Sequence, residues 1–326
     1  MKRDSLPCGV RDCESHMTDQ LQKSILQTLA FWDMFEQPLT KEELYRDLFS
    51  IDLIARKLDY FEFIQQLEHL EQIRHKDGFY FLLGRENIVD VRQARVKLIE
   101  QKLKIARLGI KKLAKVPFVR AVFVCNTVAM GLADEDSDID VFIIVKKSRI
   151  WLARFGCILI LNLFRLRRTK KKIKNKICLS FYVADDCLDL EKIAIKDDVY
   201  LIYWLDNLIP IYDPDNLHQS VLQANKWVGK HLPHGMREYI ETHCNASVPQ
   251  KIKTFFEKLW GSRYGYLLEK QAKGIQQAKM KKNYTSVQNK HDTRVIISDS
   301  MLKFHETDRR EEYREQWCKR CKIFNF

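Results

Sequence analysis

The sequence predicts an α+β protein, in which a winged helix is followed by a small mixed-sheet domain and a mainly helical C-terminal domain. Short helical patterns and a hairpin pattern lie in residues 18–88, buried strand patterns lie in residues 90–215, and residues 216–326 are mostly helical in pattern. The length of 326 residues fits two or three domains at roughly 150 residues each. A hydrophobic content of 46% excludes a disordered chain.

The N-terminal helices are predicted from apolar spacing and capping signals. Apolar residues recur at helical spacing over residues 18–35. A second short helix follows Thr40, with Glu43 at the capping-box position, and a third covers residues 60–72. Three short helices followed by a hairpin are typical of a winged helix.

The predicted hairpin turns at Asp77-Gly78. Winged helices commonly bind DNA, but residues 1–90 carry 11 basic and 17 acidic side chains. This excess of negative charge repels DNA phosphates. DNA binding through the winged helix is therefore not favoured, and protein contact or internal packing is expected instead.

The positive charge is concentrated in one segment. The formal net charge of the chain is +13, and residues 146–176 contain 12 basic side chains and no acidic one. The apolar run at 150–164 has 15 residues, fewer than the roughly 20 that a membrane span needs. We expect a buried helix followed by a solvated basic loop. Peripheral contact with an anionic membrane is the alternative, which we do not favour.

Cysteine usage predicts a reducing compartment. The nine cysteines are scattered, and no apolar signal segment follows the first residues. We therefore expect free thiols and a cytoplasmic location. A zinc site formed by Cys318 and Cys321 with Cys8 and Cys13 is a less favoured alternative, because no second tight pair supports it.

The most informative segment lies between two strand patterns, at residues 118–125 and 141–145, and a further strand pattern covers residues 176–183. Alternate side chains on a strand face the same way, so Asp138 and Asp140 present two carboxylates side by side. Neighbouring carboxylates repel unless a cation neutralises them, and Mg²⁺ or Mn²⁺ is the natural ion. The pair is the predicted metal site, and a solvated acidic loop is the alternative.

A small polar turn precedes this pair. It contains Asn126, Thr127 and Gly131, and its backbone N–H groups can hold a nucleotide phosphate. A phosphate-holding turn next to a two-carboxylate metal site is what phosphoryl or nucleotidyl transfer requires.

This arrangement resembles the nucleotidyltransferase superfamily of DNA polymerase beta, whose signature is a Gly-Ser turn, a spacer and Asp-hydrophobic-Asp. Here Asn126-Thr127 stands at the turn, Asp138 and Asp140 match the metal-binding pair, and the resemblance covers about residues 95–215. It implies a metal-dependent enzyme that moves a nucleoside monophosphate from a nucleoside triphosphate to a hydroxyl of RNA, a protein or a small molecule. The two aspartates would be catalytic, and the turn would bind the nucleotide.

The chain also resembles a group of bacterial nucleotidyltransferase-domain proteins that begin with a winged helix. The matching segments are residues 31–40, 176–183, 225–227 and 302–310. This resemblance extends over most of the chain, but it implies no particular acceptor.

Two departures from the superfamily pattern bear on activity. Asn126 replaces the usual glycine, and Ser180 stands where a later strand often carries a third carboxylate, for which Asp185 or Asp186 is a substitute. Without a third acid the attacking hydroxyl lacks its natural base. The alternative function is therefore a weak or inactive nucleotide-binding or interaction module, regulatory through its winged helix.

Residues 302–310 form a charged segment that we expect on one helix. The charged and polar side chains of the segment are Lys303, His305, Asp308, Arg309 and Arg310. An ion-pair network between domains is the favoured use, and contact with nucleotide phosphates is the alternative.

Overall fold

The described residues form a mixed α/β arrangement. The computed structural model describes residues 8–50, 58–235, 250–283, 286–288, 290 and 292–324, and for residues 8–18 it describes the backbone alone. Within this part the strands form one three-stranded and one six-stranded sheet. This agrees with the predicted α+β class.

Helices and a small antiparallel sheet form the N-terminal part. Their bounds are α1 Cys8–Asp33, β1 Leu39–Thr40, α2 Lys41–Arg46, α3 Tyr60–Glu68, β2 Ile73–Lys76 and β3 Phe79–Leu82. The capping box of α2 is confirmed, because Thr40 and Glu43 each accept a hydrogen bond from the other's backbone N–H. The hairpin is also confirmed: Asp77 and Gly78 have φ angles of 53° and 81°, as a type I′ turn requires.

A six-stranded sheet with flanking helices follows. The first elements of this region are α4 Ile88–Leu113, β4 Val119–Val124, α5 Asn126–Ala129, β5 Ile139–Val145, α6 Ile150–Leu163, β6 Ile177–Ala184, α7 Val199–Asp206 and β7 Ile209–Tyr212. Strands β5 and β6 are parallel, and the other pairs among the described strands are antiparallel.

The C-terminal part completes this sheet. It contains α8 Leu217–Ala224, α9 Gln250–Leu259, α10 Arg263–Lys281, β8 Val295–Ile297, β9 Met301–Phe304 and α11 Arg310–Ile323. The strand order of the sheet is β7-β4-β5-β6-β9-β8, so β9 and β8 extend the sheet that is formed within residues 90–215. The expectation of one helix over residues 302–310 is wrong, since β9 and a turn precede α11 and strand pairing outweighs the local pattern.

Both faces of the large sheet are buried. On one face Phe142 packs edge-on against Trp204 of α7, and on the other Ile143 joins a cluster with residues of α4 and α6. Stacking of Phe31 on Tyr203 links α1 to the first face, with ring centroids 4.2 Å apart. This double burial explains the continuous apolar pattern of β5.

Helix α6 lies against the second face. It buries Trp151, Cys157 and Leu161, while Leu159 and Leu163 are exposed. Among the described residues, no helix combines the length and the apolar character that crossing a membrane would require. The basic segment after α6 is tied to β6 by a bridge between Arg167 and Ile177.

The cysteine side chains that the structure describes are free thiols: Cys125, Cys157, Cys178, Cys187, Cys318 and Cys321. The side chains of Cys8 and Cys13, which the zinc alternative needs, lie outside the described part of the chain.

Candidate functional site

The predicted carboxylate pair lies at the N-terminal end of the parallel strands β5 and β6. Asp140 is the register partner of Cys178 on β6. The next pair, Phe142 with Phe181, is displaced by one residue, so β6 carries a bulge at this point. Bulges commonly re-aim a side chain, and Ser180 within this one lies beside Asp140.

A cavity of about 380 Å³ opens over this strand end, and we call it the carboxylate cavity. Strands, α7 and the turn before α11 all contribute side chains to it. Its charged and polar lining residues are Asn126, Asp138, Asp140, Arg168, Cys178, Ser180, Tyr200, Lys303, His305, Glu306, Thr307, Asp308, Arg309, Arg310 and Tyr313.

Asp138 and Asp140 are brought together as predicted. One ligand atom each of Asp138, Asp140 and Cys178 lies within 4.8 Å of the others. Burial, and then the charge of Asp138, raise the pKa of Asp140 to about 6, although a hydrogen bond from Asn126 acts in the opposite direction. The pair therefore favours a neutralising cation.

Arg168 of the basic segment already supplies one positive charge. Its Nε lies 2.6 Å from Asp138 Oδ2 in an ion pair, and its backbone N–H donates to the carbonyl of Ile177 at 2.9 Å. Sequence reasoning placed the basic segment near the site but did not single out this side chain. The single positive charge of Arg168 balances one of the two carboxylates, so the pair of Asp138 and Asp140 keeps one negative charge when both are ionised.

Asn126 supports Asp140 from the opposite side. Its Nδ2 donates to Asp140 Oδ2 at 2.9 Å, and its Oδ1 accepts from Trp204 Nε1 at 2.6 Å. The backbone φ of Asn126 is +54°, a conformation that glycine and asparagine tolerate best. Asn126 thus combines a left-handed backbone conformation with two side-chain hydrogen bonds that link Asp140 to Trp204.

The other turn residues lie elsewhere. Thr127 and Gly131 are not among the described residues that line the carboxylate cavity. Thr127 lines a neighbouring cavity of about 400 Å³, and an added Cβ on Gly131 would meet Gln37 of the N-terminal part at 3.3 Å. The side chains of Asn126 and Thr127 therefore line two neighbouring cavities, and phosphate binding by the backbone N–H groups of this turn stays a prediction.

The proposed substitutes for a third acid are also wrong. Asp185 accepts from the backbone N–H of Lys147 at 2.9 Å, and Asp186 pairs with Lys147 Nζ at 2.7 Å. Both follow the C-terminal end of β6, whereas Asp138 precedes β5, so they lie at opposite ends of a parallel strand pair.

Ser180 lies beside Asp140, and His305 lies beside Ser180. Ser180 Oγ lies 3.5 Å from Asp140 Oδ1, and His305 Nε2 lies 3.3 Å from Ser180 Oγ. Burial, and then the charge of Lys303, lower the pKa of His305 to about 3, so the ring is neutral at pH 7. Neither side chain adds a negative charge to the pair.

A buried ion-pair network fixes the wall that carries His305. Lys303 and Arg310 both bond to Asp308, at 2.8 and 2.9 Å, and Arg310 also pairs with Asp198 at 2.7 Å. Burial opposes ionisation of Asp308, but Arg310 and Lys303 outweigh it and hold the pKa of this carboxyl well below its usual range. The favoured structural use of residues 302–310 is confirmed, although not on one helix.

The acidic loop before β5 is held from inside by Lys102 of α4. Lys102 Nζ donates to the carbonyl of Ser137 at 2.7 Å and to Asn175 Oδ1 at 2.9 Å. Asp136 in this loop is 94% exposed, whereas the Asp138 side chain is 19% exposed. The solvated-loop alternative thus describes Asp136 but not Asp138. No local pattern identified Lys102 in advance.

Comparisons with protein-family models, curated proteins and solved structures gave no significant match to this chain.

Proposed function

We propose that this chain is a metal-dependent nucleotidyltransferase that moves a nucleoside monophosphate from a nucleoside triphosphate to a hydroxyl acceptor. The observation that carries the proposal is the pair of adjacent carboxylates, Asp138 and Asp140, in the lining of the carboxylate cavity. The motif resemblance to the DNA polymerase beta superfamily supports it independently of the cavity.

The donor set fits a hard divalent ion. Mg²⁺ and Mn²⁺ accept carboxylate oxygens and take further ligands from water and substrate phosphates. Burial, and then the charge of Asp140, raise the pKa of the Cys178 thiol, which therefore remains protonated and is a poor third ligand. Asp138 and Asp140 would hold the ion, which when bound would neutralise charge on the phosphates.

The chain's own side chains have separate tasks in this reaction. Asn126 orients Asp140, and the guanidinium of Arg168 can move from Asp138 to a phosphate oxygen, which it can bind through two N–H groups. The neutral ring of His305 and the hydroxyl of Ser180 can hydrogen-bond to the acceptor hydroxyl and orient it.

The finer architecture is part of the proposal. Residues 18–88 would be a winged helix, residues 90–215 the nucleotidyltransferase domain, and residues 216–326 a C-terminal part that completes its sheet. The acceptor is RNA, a protein or a small molecule. The reducing cytoplasm is the proposed location, supported by the free thiols.

A second candidate function is a nucleotide-binding module with little or no chemistry. Two observations favour it: Ser180 stands beside the pair where a third carboxylate is expected, and Arg168 already bonds to Asp138. A missing general base lowers a rate by about 10²–10⁴. This candidate predicts nucleotide binding without turnover.

Pyrophosphate release tests the two candidates. The purified chain is incubated with Mg²⁺ or Mn²⁺ and each α-labelled nucleoside triphosphate, with and without total RNA, and label transfer is followed together with release. Asp140→Asn is compared with Asp136→Asn, whose side chain is in the same loop but 94% exposed. The proposal predicts release by the wild type and by Asp136→Asn, and its loss in Asp140→Asn.

Equal release by the two variants would contradict the catalytic assignment. Metal-dependent nucleotide binding by the wild type without release would favour the second candidate.

A further inference from the structure

A second cavity adjoins the carboxylate cavity. It has a volume of about 400 Å³ and is bordered by Thr127 of α5. Tyr200 and Tyr313 line both cavities, so the two cavities are direct neighbours. Because Thr127 directly follows Asn126, which bonds to Asp140, the two cavities meet within a few residues of the carboxylate pair.

Three arginines from separate parts of the chain face this second cavity, and we call it the arginine cavity. They are Arg85 between β3 and α4, Arg95 on α4, and Arg320 on α11. Arg85 Nε and Arg320 Nε bond to the two oxygens of one carboxylate, Asp33, at 2.6 and 3.3 Å. Two guanidiniums thus share a single counter-charge.

Arg95 has neutral partners. Its Nη1 donates to the backbone carbonyls of Phe35 and Glu36 at 2.8 and 3.1 Å. Across the described part of the chain, no carboxylate forms an ion pair with Arg95. Burial lowers the pKa of this guanidinium despite the charge of Glu36, which is what a partly desolvated cation without a bonded counter-ion shows.

The arginine cavity therefore holds more positive charge than its carboxylates balance. Three guanidiniums line it against two carboxylates, Asp33 and the exposed Glu36, and the charge of Asp134 also acts on Arg95 from outside the lining. Guanidinium groups bind phosphate oxygens in pairs of parallel hydrogen bonds, and partial burial strengthens each bond. A ligand with several anionic oxygens at short spacing, such as a linear polyphosphate, fits this arrangement.

We propose that the arginine cavity binds the polyphosphate tail of a nucleoside triphosphate whose α-phosphate faces Asp138 and Asp140. The identity of the ligand rests on the proposed function, whereas the anion site rests on the three arginines alone. Since Arg85 and Asp33 belong to the N-terminal part and Arg320 to α11, a bound triphosphate joins the two ends of the chain at the site.

Binding of inorganic tripolyphosphate tests the anion site without metal or chemistry. Isothermal titration calorimetry is run on the full chain in EDTA at about 0.15 M salt, which screens loose binding to the exposed basic segment. Arg95→Gln is compared with Arg74→Gln. Arg74 also donates to two backbone carbonyls, those of Glu71 and Ile73, but it lies outside the cavity.

We expect tripolyphosphate to bind the wild type and Arg74→Gln equally and to bind Arg95→Gln about tenfold more weakly, the usual effect of losing one charge-assisted contact. Arg95→Lys, which keeps the charge, should recover part of the loss. Circular dichroism of each variant establishes that it is folded. Equal affinities of Arg95→Gln and Arg74→Gln, or absence of binding to the wild type, would overturn the proposal.

Two further variants separate this inference from the proposed function. Asp140→Asn should retain tripolyphosphate binding, even if it abolishes pyrophosphate release. Loss of binding in Arg168→Gln together with unchanged binding in Arg95→Gln would place the anion in the carboxylate cavity and refute the assignment. Pyrophosphate release that depends on Asp140, in a protein that does not bind tripolyphosphate, would leave the proposed function intact. It would overturn the assignment of the arginine cavity as a polyphosphate site.

Discussion

Replacement of Asn126 by glycine and by alanine probes the support of the carboxylate pair. The glycine variant loses the charge-assisted bond to Asp140, worth about 1.5–3 kcal/mol. It also leaves the N–H of Trp204, a residue that is 4% exposed, without its acceptor, which costs about 1–3 kcal/mol. Water entering from the cavity recovers part of both. We therefore expect Asn126→Gly to lower the free energy of unfolding by about 3 kcal/mol.

The alanine variant adds backbone strain. At a φ of +54° an ordinary L-residue costs about 1–2 kcal/mol more than glycine. The wild type is therefore expected to be the most stable, Asn126→Gly less stable and Asn126→Ala the least stable. In ordinary helical backbone the order of the two variants would be reversed, because alanine is there more stable than glycine by about 0.5–1 kcal/mol. The order of the two variants thus separates the strain from the lost hydrogen bonds.

Urea denaturation in EDTA, followed by tryptophan fluorescence, measures these differences. Removing a donor from Asp140 also raises its pKa further, so the Mn²⁺ affinity of Asn126→Gly should fall more between pH 8 and pH 6 than that of the wild type. A free energy of unfolding of Asn126→Gly within about 0.5 kcal/mol of the wild-type value would contradict this expectation. So would an Asn126→Ala variant that is more stable than Asn126→Gly.

Further expectations concern the walls of the carboxylate cavity. Arg310→Met should lower the free energy of unfolding by about 3–5 kcal/mol, because it leaves the buried carboxylate of Asp198 without its cation and that of Asp308 with Lys303 alone. Arg309→Met, at an exposed ion pair, should change it by less than about 0.5 kcal/mol, and similar urea midpoints of the two variants would contradict this. Ser180→Asp puts a third negative charge beside the carboxylate pair, so it should destabilise the metal-free protein and bind Mn²⁺ more tightly. Unchanged Mn²⁺ affinity would show that residue 180 does not face the ion. The pKa of His305 is lower in the folded chain than its ordinary 6.5, so the unfolded chain binds the extra proton and the free energy of unfolding should decline as the pH falls from about 6.5 toward 3. Asp308 should add a further decline only below its ordinary pKa of 3.8. An unchanged pH dependence in His305→Asn would refute the His305 contribution.

Features set by neighbouring residues were predictable from the sequence. The capping box of Thr40 and Glu43 and the Asp77-Gly78 turn depend on contacts within four residues, and both are present. The placement of Asp138 and Asp140 on one side of a strand follows from the two-residue repeat of a strand. Such signals require only the local conformation.

Features set by the approach of distant segments were not predictable. Arg168 meets Asp138 because the basic segment runs along β6, and Trp204 meets Asn126 because α7 covers the sheet. His305 reaches the site because β9 pairs with β6, which also turned a predicted helix into a strand. In each case the partner is chosen by packing, which one-dimensional patterns do not encode.

The division of the polar turn has the same origin. Asn126 and Thr127 are adjacent in sequence, yet their side chains line two different cavities, which Tyr200, Tyr313 and other residues of distant segments complete. The polar turn was predictable from its sequence, whereas the cavity that each side chain lines depends on those distant segments.

A crystal structure with Mn²⁺ and a non-hydrolysable nucleoside triphosphate would show whether the carboxylate pair holds the metal of a nucleotide complex. We expect an anomalous Mn²⁺ peak between the carboxylates of Asp138 and Asp140, with Arg168 released from Asp138 and the terminal phosphates near Arg95. Mn²⁺ bound away from this pair, or nucleotide bound with the Arg168–Asp138 ion pair intact and no metal beside it, would refute the proposed function.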